Sequence, residues 1–257
     1  MINATSSAEA PSIRTEFSAP QHTIPQTILL HLLPGALITI TFIALVPWLK
    51  HNHLPLMLAI LIPILIILIP FELGLLYYEG NRRNGRLSLE GIVVYREPLP
   101  LKDFFIFVPV LLFWAVFIFM GLSGLDQVII KALFSWLPDW FQFNRFSPAD
   151  YSQPVLTVTF VLYLVLNGVA APIVEELYFR GYLLPRIEYL KGWSALVNVL
   201  LFSLYHFFSP WQNITRILAL LPLVYTVRWK KNIFISILVH CLLNTGSCLM
   251  AAQLFFK

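Results

Sequence analysis

Beyond residue 25, apolar runs alternate with short polar connections, at about 27–48, 54–78, 104–125, 154–174, 193–209, 214–228 and 232–251. A bilayer core needs about 20 residues of helix per crossing, so the pattern predicts seven helices, the last three short. Pro34, Pro63, Pro109 and Pro222 fall inside these runs. Lipid tolerates them because neighbouring helices satisfy the carbonyls that proline frees, and they are candidate kinks. The connection 126–153 carries Val128, Ile129, Leu133, Trp136, Leu137 and Trp140 at roughly helical spacing. The fold class expected is therefore all-α: a polytopic transmembrane helical bundle of about seven spans, with an interfacial helix near 126–143. An extension of a span or an aromatic belt is the plainer account of that last segment.

Composition removes the soluble alternative. Of the 257 residues 58% are hydrophobic and 12% charged, against about a quarter charged in soluble domains. The first 25 residues are polar and Ser/Ala/Pro-rich, without the basic and apolar regions of a signal peptide. The chain reads as a disordered tail (1–25), N-terminal transmembrane helices with their loops (26–153) and a C-terminal transmembrane core (154–251). Cys241 and Cys248 sit seven residues apart in one apolar run, roughly 10 Å along a helix and too far for a disulfide.

The net charge of +4 reports topology rather than nucleic acid. The most polar stretch, 79–103, holds Arg82, Arg83, Arg86, Arg96 and Lys102 and should be cytoplasmic. Alternate connections then put twelve basic residues inside (those five, Arg14, Arg180, Arg186, Lys191, Arg228, Lys230 and Lys231) and five outside (Lys50, Lys131, Arg145, Arg216 and Lys257). The expectation is a multi-pass protein of a bacterial inner membrane, with its N-terminus inside. The partner expected from this pattern is the lipid bilayer, with no nucleic acid.

Ionisable groups in apolar surroundings carry the functional signal, since each costs about 2.5–3.5 kcal/mol at a helix centre. They concentrate late in the chain: Glu175, Glu176 and Arg180 at the end of the fourth run, His206 in the fifth, His240 and Asn244 in the seventh. Glu176 and Arg180, four apart, can pair on one helix face. Glu175 points about 100° away, with Phe179 and Tyr178 as its nearest helical neighbours, and a carboxylate so placed can take a proton from water. His240 and Asn244 also share a face. Each group has a plainer role: interfacial glutamates, a histidine bonded to a carbonyl, an asparagine joining helices, a snorkelling Arg180, a packing Phe202. His206 falls nearer the outer end of its run than Glu175, so convergence requires the span edges to shift or the helices to break or tilt. Glu72 and His31 have no partner at helical spacing and read as interfacial or structural, while His51 and His53 read as solvated turn residues. No conventional zincin, P-loop, dinucleotide or serine-elbow motif is present.

In order along the chain, Glu-Glu-x-x-x-Arg (Glu175, Glu176, Arg180), Phe-x-x-x-His (Phe202, His206) and His-x-x-x-Asn (His240, Asn244) resemble the three motifs of the CAAX protease and bacteriocin-processing (CPBP) family of intramembrane endopeptidases. The resemblance covers about 154–251. It implies a peptide-bond hydrolase reached from the cytoplasmic side, in which Glu175 activates water with help from His206. His240 and Asn244 would hold the oxyanion, with Glu176, Arg180 and Phe202 in support. No cofactor is favoured; zinc on Glu175, His206, His240 and Asn244 is the alternative, disfavoured because asparagine is an uncommon zinc ligand. The substrate implied is a membrane-anchored peptide or protein. Two rival classes stand beside this reading, a proton-coupled transporter or channel and a non-catalytic scaffold or immunity protein.

Overall fold

The computed structural model describes residues 19–143 and 147–256, and among them the chain is helical throughout, with no named strand. Eight helices organise it: α1 (Ile24–His51), α2 (Leu58–Asn84), α3 (Leu101–Gly121), α4 (Ser123–Leu133), α5 (Gln153–Leu190), α6 (Trp193–Tyr205), α7 (Asn213–Lys230) and α8 (Phe234–Met250). The regions of α1, α2, α3, α5 and α8 are long and apolar enough to cross a membrane, and the chain is an integral membrane protein. With α6 and α7 these match the seven expected runs. At 13 residues, α6 spans roughly 20 Å and falls short of the bilayer core on its own.

The edges differ from expectation for local reasons. A capping box between Thr23 and Gln26 starts α1 at Ile24, so the last two residues of the expected tail are helical. His22 N donates to Arg186 O at 2.8 Å, tying the preceding residues to the bundle. The rest of that tail through residue 18, with Arg14, lies outside the described residues, as do Arg145 and Lys257. The fourth run does not stop at 174 but continues in α5 to Leu190, because the charges that seemed to end it are buried against one another. The interfacial helix α4 ends at Leu133, and a turn followed by Pro138 takes Trp136, Leu137 and Trp140 off its face. Trp140 and Phe141 instead pack on Phe42 of α1, with ring centroids 5.8 and 5.3 Å away.

Interior prolines are accommodated as lipid requires. Each removes the N–H that would serve the carbonyl four residues earlier, and at Pro34 and Pro222 a side chain from another helix replaces it. Tyr178 Oη donates to Leu30 O at 2.8 Å below Pro34, and Trp114 Nε1 to Leu218 O at 3.0 Å below Pro222. The same device recurs at Pro172, beside the candidate site.

Basic connections gather at one end of the bundle. Val94 N donates to Gly181 O at 2.9 Å, and Glu188 accepts from Tyr95 and pairs with Arg228 at 2.8 Å. Lys230 lies 3.3 Å from Asp103. The polar stretch 79–103, the end of α5 and the α7–α8 turn thus share a side, as the charge pattern required.

Candidate active site

Two π-helical stretches, Tyr163–Ala170 and Glu176–Leu183, interrupt α5 on either side of Ala171–Glu175. Such bulges free backbone groups and are frequent at functional sites. Ala171 N bonds Leu166 O in the π pattern, and Pro172 has no N–H to give, so the carbonyls of Asn167 and Gly168 lose their helical donors. Helix α8 supplies both: Asn244 Nδ2 donates to Asn167 O at 2.9 Å and Thr245 Oγ1 to Gly168 O at 3.2 Å. These bonds set the register of α8 against α5 and bring His240, one turn earlier, onto the two glutamates.

Glu176 has both oxygens engaged. Its Oε1 accepts from His240 Nδ1 at 2.9 Å, and its Oε2 lies 3.3 Å from Arg180 Nε. The Arg180 guanidinium is completely buried, has no aligned hydrogen-bond acceptor among the described residues and rests 4.0 Å from the Phe202 ring centre. Because a carboxylate only accepts, His240 carries its hydrogen on Nδ1 and turns Nε2 toward Glu175. That second contact is loose, 3.8 Å to Glu175 Oε2. Glu175 is 5% exposed and lacks the tight bonding of its neighbour.

The depth problem is resolved by α5 continuing past the motif. Glu175 lies 15 residues before Leu190, and His206 13 residues after Trp193, where α6 starts back in the opposite direction. At about 1.5 Å per residue the two sit at nearly the same level. Contacts agree: Phe179 meets Phe202 and Tyr205 at centroid distances of 4.9 and 5.0 Å. His206 stands just past the end of α6 with non-helical φ −80° and ψ 56°. Its Nδ1 lies 2.8 Å from Phe202 O, which fixes the hydrogen there and leaves the Nε2 lone pair uncommitted. Phe202 is the hub, with His206 at 4.9 Å and His240 at 6.2 Å from its ring centre.

Glu175, Glu176, Arg180, Phe202, His206 and His240 are therefore brought together, while Asn244 lies one turn beyond His240 with one amide hydrogen already given to α5. Sequence reasoning missed three further groups. Glu72 of α2, read as lacking a partner, is fully buried and accepts from Tyr205 Oη at 3.5 Å. Arg216, assigned to an outer connection, is 7% exposed. It donates to Ser203 O at 3.3 Å and Ser209 Oγ at 2.9 Å, bracing the turn that presents His206. The signal for Glu72 and Arg216 was charge inside an apolar run; Tyr205 gave none. His31 is structural as expected, bonded to Thr27 O and Asn198 Nδ2 at 2.7 and 3.1 Å. His51 and His53 are exposed. Among the described residues no three His, Cys, Asp or Glu side chains form a group that could hold a metal ion.

Residues 157–246 match the model of the Rce1-like family, described as type II CAAX prenyl endopeptidase Rce1-like. Over this segment the chain is similar to the CAAX protease family. No curated protein and no solved structure matches the chain. The matched segment begins within α5 and ends within α8, so it holds all three motifs and both π-helical stretches, while Glu72 lies outside it.

Proposed function

We propose that the chain is an intramembrane endopeptidase that hydrolyses a peptide bond by water activated at Glu175. The carrying observation is the unequal engagement of adjacent carboxylates: Glu176 is held by Arg180 and His240, whereas the His240 contact to Glu175 is loose, at 3.8 Å, and leaves that carboxyl group room to engage water. Glu175 takes a proton from water as the water oxygen attacks the scissile carbonyl carbon. The uncommitted Nε2 of His206 accepts a hydrogen bond from the same water. The oxyanion falls to the second amide hydrogen of Asn244 and, with a second hydrogen on its ring, to His240 Nε2, preorganised donors in a dry site. When the C–N bond breaks, the proton on Glu175 passes to the leaving amine. Glu176 and Arg180 hold His240 and Phe202 in place.

The substrate is a membrane-anchored peptide, in keeping with a family described by CAAX prenyl endopeptidases; a prenyl group is one anchor of that kind. The basic end faces the cytoplasm, and the membrane is a bacterial inner membrane. Cleavage of a membrane-anchored peptide library by the purified protein in proteoliposomes tests this. Glu175→Gln is expected to abolish cleavage with the fold intact. Unchanged cleavage removes Glu175 from the mechanism, and His206-dependent proton flux without cleavage makes the protein a transporter.

A further inference from the structure

Glu72 is a buried carboxyl group beside the site that the mechanism above does not use. It sits on α2 in the run IPFELGLLYY, is 0% exposed, and accepts from Tyr205 Oη through Oε1 at 3.5 Å, while Oε2 has no hydrogen-bond partner among the described residues. A glutamate serving architecture alone is satisfied as Glu188 is, by Tyr95 on one oxygen and Arg228 on the other. Glu72 instead spends its one contact on a hydroxyl that also neighbours Glu175.

The Tyr205 hydroxyl thus stands between two carboxyl groups with one hydrogen to give. Its ring cannot move aside, being stacked on Phe202 at 6.0 Å and set edge-on to Phe179 at 5.0 Å. A hydrogen bond donated to Glu175 would make that group a poorer base. The other titratable groups facing Glu72 are Glu175, Glu176, Arg180 and Tyr178 on α5.

We propose that Glu72 is a positioning residue: it takes the hydrogen of Tyr205 Oη and so keeps that hydroxyl off Glu175, leaving the glutamate free to activate water. This deepens the peptidase reading and rests on it. Glu72→Leu releases the hydroxyl to Glu175, lowering kcat about ten- to a hundredfold, the worth of one charge-assisted hydrogen bond, with KM unchanged. Glu72→Gln, whose amide oxygen still accepts, retains most activity. The decisive variant is the double one, in which Tyr205→Phe restores most of the rate lost in Glu72→Leu, a recovery that lost packing would not give.

These rates are read in proteoliposomes on a membrane-anchored fluorogenic peptide. Wild-type kcat in Glu72→Leu, or a loss that Tyr205→Phe does not relieve, overturns the proposal while Glu175→Gln remains inactive. Activity in Glu175→Gln overturns the peptidase reading instead. Independently of cleavage, and with two near-isosteric variants that spare the fold, Tyr205→Phe is expected to shift a carboxyl infrared band that Glu72→Gln removes. Absence of that band shift overturns the contact itself.

Discussion

Glu176→Gln isolates the charge that makes the site possible. The amide keeps the volume of the glutamate and an oxygen for His240 Nδ1, but the ion pair at 3.3 Å to Arg180 is lost. Arg180 is 0% exposed and cannot turn to water, and leaving one partner of a buried pair uncompensated costs about 3–5 kcal/mol. Two features favour the lower end. Glu175 and Glu72 also attract the guanidinium, and the Phe202 ring lies 4.0 Å from it. The expected destabilisation is therefore about 3 kcal/mol, read by equilibrium unfolding in mixed micelles, followed by tryptophan fluorescence. Arg180→Met in the Glu176→Gln background removes the stranded cation, so the double variant should be more stable than the sum of the two single losses predicts. A cost below about 1 kcal/mol, the value of an exposed pair, or simple additivity would refute the claim that this pair is dry and coupled.

Two further substitutions test how the neighbouring helices hold the site. In Gly35→Ala the new Cβ would lie 1.9 Å from Tyr205 O, so α1 and α6 must separate; lower thermal stability and reduced peptidase activity are expected, and wild-type values for both would show that the helices do not meet this closely. Thr245→Val strands the Gly168 carbonyl at a cost of about 1–3 kcal/mol, and adding Pro172→Ala should recover much of it by returning a helical N–H; unfolding of the two variants in mixed micelles decides, and no recovery would mean that proline does not create the need for the threonine.

Much of the architecture was legible because lipid imposes one rule, that backbone polar groups be satisfied within helices. Apolar runs therefore located seven helices, and the clustering of basic connections identified which loops share an end. What periodicity could not supply was where charge ceases to mean an edge. Glu175, Glu176 and Arg180 looked like the end of a span, yet the pairing of Glu176 with Arg180 and His240 lets α5 continue to Leu190. That continuation, with α6 stopping at Tyr205, brings His206 to the level of Glu175. Similarly, Pro138 ends the regular face expected after α4, a local signal that the recurrence of tryptophans masks in the sequence.

Within the site, spacing along one helix found the pairs that share a face, Glu176 with Arg180 and His240 with Asn244. It could not find pairs formed between helices, because no sequence period connects Glu72 to Tyr205 or His31 to Asn198. Glu72 marks the limit of that reasoning. Without a partner at helical spacing it reads as interfacial or structural, yet it is buried beside Tyr205 of another helix, and about 2.5–3.5 kcal/mol is needed to hold a charge at a helix centre. In a bundle whose helices meet on all sides, a carboxylate unpaired on its own helix is better read as evidence for a partner on another. Arg216 obeys the same logic: its guanidinium reaches back to Ser203 and Ser209 across the turn, and the histidine it steadies lies ten residues earlier in the chain.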